Sequence, residues 1–159
     1  MRIKNSVLLL LVTVLLFSCD KKRVFDEYKS LGSAWNKDSI VTFDLPVLDS
    51  TKRYDLFVNL RDNNNYKYNN IFLIVSLESA NGYTKVDTLE YQMANPDGTL
   101  LGDGFTDLKE SKLYYKENVR FRGKYKVHIK QAVRETGKVP GVALLDGITE
   151  VGFRIEKKE

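Results

Sequence analysis

The sequence holds one cysteine, one histidine and one tryptophan among 159 residues. With Cys19 the only thiol, no intramolecular disulfide can form. With His128 the only imidazole, a nucleophile–histidine–carboxylate relay has one possible base, and no Gly-x-Ser-x-Gly elbow accompanies it. A basic stripe with interleaved aromatics is also absent, which excludes a nucleic-acid face. The apolar run Val7 to Phe17, broken only by Thr13, is eleven residues long. At helical rise it covers about 16 Å, roughly half a hydrocarbon core, too little for a transmembrane helix. Past that run there is no amphipathic helix pattern, no repeat of fixed period and no low-complexity segment.

What is present begins with the leader. Arg2 and Lys4 precede the apolar run, and Leu16-Phe17-Ser18-Cys19 follows its end. A charged start, a short apolar centre and a small residue before the cut describe a helical secretory signal peptide over residues 1–18. Leu-x-Ser-Cys resembles the bacterial lipobox, whose cysteine takes a diacylglyceryl group and becomes the first mature residue. Phe17 is bulkier than the usual middle residue. The plainer alternative is a free cysteine beside an ordinary cleavage site. Two acyl chains anchor stably without a span, since each buried methylene contributes about 0.8 kcal/mol.

Removal of 1–18 leaves 141 residues, enough for one domain with a real core. The leader holds two of the 25 basic residues and none of the 21 acidic ones, so the mature balance is near +2. Residues 19–29 read as the lipidated N-terminus and a short polar tether, and 30–159 as a single domain. Leu56, Val58 and Leu60 alternate with Asp55, Asn59 and Arg61, and Tyr125, Val127, Ile129 and Gln131 alternate with Lys124, Lys126, His128 and Lys130. Ile71 to Val75 is a continuous apolar run and predicts a central strand covered on both faces. Asp62-Asn63-Asn64-Asn65, Asn81-Gly82, Asn95-Pro96-Asp97-Gly98 and Gly102-Asp103-Gly104 are turn signals. About eight strands follow, with Val151, Phe153 and Ile155 on one face of the last. The expected fold is an all-β antiparallel sandwich, jelly-roll-like.

Three stretches, taken together, resemble the gliding-motility lipoprotein GldH family of Bacteroidetes. They are Tyr68-Asn-Asn-Ile-Phe-Leu-Ile-Val-Ser-Leu77, Asp87 to Gly98 with Leu101-Gly-Asp-Gly104 after it, and Gly147-Ile-Thr-Glu-Val-Gly-Phe-Arg-Ile-Glu156. The resemblance implies a non-enzymatic envelope lipoprotein of the gliding apparatus and its associated type IX secretion. It implies other envelope proteins as partners and lipid on Cys19, but no catalytic residues. The mostly basic Asp20-Lys21-Lys22-Arg23 leans towards the periplasmic leaflet of the outer membrane.

Other chemistry is thin. Tyr66, Tyr68 and Tyr83 lie in or beside predicted loops, where aromatic rings can serve as stacking platforms for sugar or peptidoglycan; tyrosine is equally an ordinary sheet-rim residue. Asp103 and Asp107 are spaced to reach one calcium ion across a loop, with Asp97 a further weak candidate, though aspartates favour turns for local reasons alone. No cofactor other than the covalent lipid is expected. Trp35 reads as a core or sheet-edge plug.

Overall fold

Alternation at period two decides where each side chain goes. The computed structural model describes residues 20–159, and the expected signal peptide and Cys19 lie outside them. Ten strands follow in order: β1 (Arg23–Ser30), β2 (Ala34–Asn36), β3 (Val41–Asp44), β4 (Tyr54–Asp62), β5 (Asn70–Ser79), β6 (Thr84–Gln92), β7 (Lys109–Val119), β8 (Tyr125–Gln131), β9 (Leu144–Asp146) and β10 (Ile148–Lys157). Among the described residues there is no α-helix.

Two antiparallel four-stranded sheets carry the fold. One has the order β1-β10-β4-β7, the other β3-β8-β5-β6, and β2 and β9 form a separate short ribbon. Among the eight long strands every connection except the β5–β6 hairpin passes from one sheet to the other. That is jelly-roll topology, and the expected sandwich of eight strands is what forms, with the ribbon added.

The inward faces meet in one core. Leu56, Val58, Leu60, Val151, Phe153 and Ile155 come from the first sheet, and Phe43, Ile71, Leu73, Val75, Val127 and Ile129 from the second. Nearly all are wholly shielded, and each such side chain contributes about 1.5–3 kcal/mol. Phe43 and Phe153 touch across the sheets at 6.2 Å. Trp35 is buried beneath the ribbon, its Nε1–H donating to the Ser39 carbonyl at 3.1 Å. At the β6–β7 rim Tyr91 donates to the Tyr114 carbonyl at 2.7 Å, and Asp87 receives Tyr115 at 2.8 Å and Lys116. A charge held between edges in this way discourages further strand addition.

Strand directions sort the connections into two ends. Residues 20–22, 45–53, 80–83, 120–124 and 158–159 lie at the end where the described chain starts. Residues 31–40, 63–69, 93–108 and 132–147 lie at the far end. Tyr54, Phe121 and Tyr125 close the first end in edge-to-face contacts of 5.9 and 5.0 Å.

Two expectations change. The segment read as a tether instead forms β1 from Arg23 onward, paired along β10. Its inward face offers Phe25 but then Glu27 and Lys29, so it has no apolar alternation to read. The run Ile71–Val75 is covered on one face only: Phe72 and Ile74 sit half-buried on the outer side of β5.

Candidate functional site

The two outer faces of the sandwich differ in kind. On the first sheet a polar network crosses all four strands. Arg61 donates from Nε to Glu110 at 2.8 Å and from Nη1 to Glu150 at 2.5 Å. Tyr28 donates to Glu110 at 2.8 Å, accepts from Asn59 at 2.9 Å, and lies under the Arg61 guanidinium at 4.3 Å. Arg154 reaches Asp26 at 2.8 Å, Glu156 at 2.6 Å and also Asp20. Burial opposes the Glu110 charge, but the bonds from Arg61 and Tyr28 outweigh it and hold its carboxyl below the ordinary value. The same burial, with Glu110 beside it, pushes the Tyr28 phenol well above its usual range. Apart from the Asn59 Oδ1, which is buried without a partner, these groups satisfy one another, so the face is a clamp across β1, β10, β4 and β7 with little left to offer a ligand.

The outer face of the second sheet is the reverse. Phe72 and Ile74 of β5 floor an open cleft of about 650 Å³, rimmed by Lys37, Lys130 and Arg134 and by one carboxylate, Asp38. A smaller cleft of about 250 Å³ continues along the same face between Ile40, Ile74 and Val86, with His128 on its wall. Ile40 and Val86 are 58% and 59% exposed. Among the described residues none of the three rim cations has a carboxylate within ion-pair distance. An apolar floor with unpaired positive charge at its rim suits a partner surface in which apolar side chains are flanked by carboxylates.

His128 is better supported than an exposed polar-face histidine. Its Nδ1 meets the Thr42 hydroxyl at 2.8 Å and its Nε2 the Glu78 carboxylate at 2.8 Å. The connectivity is that of a nucleophile–base–carboxylate relay, but Thr42, His128 and Glu78 are cross-strand neighbours on β3, β8 and β5. The chain ties the edge strand β3 to the sheet centre.

The three tyrosines do not form one site: Tyr66 and Tyr68 touch, and Tyr83 stands apart. Tyr66 is buried, its hydroxyl donating to the Asn70 carbonyl at 2.7 Å, and its ring packs edge-on against Tyr68 at 5.8 Å. A ring so enclosed presents no stacking face. Tyr83 is 67% exposed in the β5–β6 turn, a strand length away, about 30 Å for ten residues. Asp97 spends its carboxylate on Thr99, accepting from the amide at 2.9 Å and the hydroxyl at 2.6 Å. Those bonds hold its carboxyl below the ordinary value. Asp103 exchanges backbone bonds with Glu110, and Asp107 is exposed. No cluster of three metal-type side chains occurs among the described residues.

One buried acid escaped sequence reading. Asp62, read as the first turn residue, is the last residue of β4 and wholly buried, with neither carboxylate oxygen bonded. Burial pushes its carboxyl up to about 7, and the charge of Lys109 only partly opposes this. The available signal was alternation: Asp62 is two residues beyond the inward Leu60.

Fold and faces together define a jelly-roll body with one largely self-paired polar sheet and one open, apolar-floored sheet with a mainly basic rim. The chain belongs to the GldH lipoprotein family, whose model matches residues 23–155. It is 79% identical over its full length, and over all of the relative, to "Gliding motility lipoprotein GldH" of Flavobacterium johnsoniae. It is 56% identical to "Gliding motility lipoprotein GldH homolog" of Christiangramia forsetii, covering all of this chain and 99% of that one. Among solved structures, the infectious bursal disease virus VP2 subviral particle matches with a TM-score of 0.34 and 13% identity, over 87% of this chain and 34% of that one.

Proposed function

We propose that this gliding motility lipoprotein works by contact and not by turnover, as a component of the envelope machinery that drives gliding and its associated type IX secretion. Cys19 carries the acyl chains after removal of 1–18, and the body stands on the periplasmic leaflet of the outer membrane. The observation that carries the reading is the outer face of the β3-β8-β5-β6 sheet. A surface that leaves Phe72, Ile74, Ile40 and Val86 partly wet beside unpaired cations is costly unless a partner covers it. The occupant is another envelope protein, presenting apolar side chains with acidic neighbours. Family membership supports the setting, and the open cleft supports binding over catalysis. The carbohydrate-binding alternative has less support, since Tyr66 is buried and the exposed Tyr83 stands a strand length from the half-buried Tyr68.

The test is crosslinking of the acylated protein in its own membranes, followed by affinity recovery. The Ile40→Glu/Val86→Glu variant alters two exposed positions, so its stability should stay within about 1 kcal/mol of the parent. Its yield of the envelope partner should fall at least tenfold, about 1.4 kcal/mol of binding. Equal recovery from parent and variant would remove the cleft from the proposal. Palmitate labelling that persists in Cys19→Ala would remove the anchor.

A further inference from the structure

The two ends of the body carry opposite charge. Connections at the end where the described chain starts hold eight basic and three acidic side chains, and those at the far end four basic and six acidic. At the first end Lys21, Arg23, Arg120, Arg122 and Lys124 are exposed, and none has an ion-pair partner among the described residues. The same end shows apolar side chains at its loop tips, Val47 at 64% and Tyr83 at 67% exposure. Tyrosine combines an apolar ring with a polar tip and favours a membrane–water interface.

The chain start leaves no slack. Asp20 is pinned by Arg154 of β10, and the Lys22 carbonyl accepts from the Lys157 amide at 2.8 Å. Only one peptide unit, about 3.8 Å, separates Asp20 from Cys19. An acylated Cys19 would therefore draw the body down onto the headgroups through this end. The far end, with the larger cleft on its side, would point away.

We propose that this end is a docking surface for an anionic bilayer: Arg120, Arg122, Lys124 and Lys21 meet lipid phosphates while Tyr83 and Val47 enter the interface, fixing the orientation of the body. The proposal rests on acylation of Cys19 and adds to it a second, electrostatic contact. Two weak signals together make a stable peripheral attachment, and cationic side chains near an anionic leaflet each add to it.

The mature chain has no cysteine besides Cys19, so a fluorophore can be placed at Tyr83→Cys or at Phe105→Cys, the latter a fully exposed far-end position. The acylated protein is floated on vesicles of phosphatidylethanolamine with phosphatidylglycerol that contain a nitroxide-labelled lipid. The label at 83 should be quenched at least about threefold more than that at 105. Raising salt from about 0.1 M to about 1 M shortens the Debye length from about 10 Å to about 3 Å and should shrink the difference at least about twofold, the short acylated tether still keeping position 83 the nearer and the protein still floating; a difference that salt leaves unchanged overturns the electrostatic contact. Arg122→Glu/Lys124→Glu should do the same at low salt. Equal quenching of both labels, or stronger quenching at 105, overturns the orientation. Failure to float at all overturns the acylation and the proposal with it, and is distinguishable from loss of orientation alone.

Discussion

Gly147→Ala is expected to cost about 3–5 kcal/mol and to lower the melting midpoint by about 10–20 °C. Gly147 is buried between β9 and β10 at φ +85°, and its carbonyl accepts from the Asn63 amide at 2.9 Å. A methyl group there would sit 2.1 Å from the Tyr66 nitrogen and 2.5 Å from its Cα, and 2.7 Å from the Asn65 carbonyl carbon. All three are backbone atoms and cannot swing aside. The β4–β5 loop would have to lift, taking the buried Tyr66 ring with it. Gly82 is the matched control, at the same φ of +85° with nothing within 4 Å of its missing methyl. Gly82→Ala should cost only the backbone strain, about 1–2 kcal/mol. Thermal melts of the two variants separate strain from collision. Equal losses would show that the close approach at Gly147 has no energetic weight.

Legibility of the fold in the sequence followed the period-two signal. Where one face of a strand is core, as in Leu56-Phe-Val-Asn-Leu60 or Tyr125 to Gln131, alternation marked the core-facing residues, although Asn59 on the outer face is buried too, donating to the Tyr28 hydroxyl. It failed where burial is not the only reason for an apolar residue. Phe72 and Ile74 make β5 read as a two-sided central strand, yet they floor the cleft on an outer face. The misreading and the candidate site are one feature, because an apolar residue kept half-wet has the same letter as one in the core. β1 was hidden for the opposite reason: an edge strand is held through its ladder with β10 and the outward partners of Asp26 and Tyr28, and neither leaves an apolar pattern. The polar clamp around Arg61, Glu110 and Arg154 was also illegible. It joins residues 49 and 89 positions apart across strands, and only register brings them together.

Asp62 gives the second large effect, and its sign is opposite to that of most carboxylates. The other shifted acids stand below their ordinary values: Asp49 is held down to about 2 by Thr51 and Lys52, and Glu110 and Glu156 by their arginine and lysine partners. Such groups stabilise above the unfolded pKa, and that stability is lost as pH falls. Asp62 is raised by burial to about 7, from an ordinary 3.8. The folded state therefore prefers it protonated. Its relative stabilisation is full below about pH 4 and is lost as pH rises through 7, up to about 4 kcal/mol in all. Stability should peak near pH 5 and decline towards pH 8. Asp62→Asn keeps the shape and removes the ionisation, leaving the smaller penalty of an unbonded neutral amide. Near pH 5 the variant and parent should melt together. At pH 8 the variant should be the more stable by about 1–3 kcal/mol, with a flat profile between. Denaturant midpoints across pH 5 to 8 check this directly. Parallel curves would mean that the carboxylate is solvated in solution, and the buried corner formed by Asp62, Tyr66 and Gly147 would then have to be open to water.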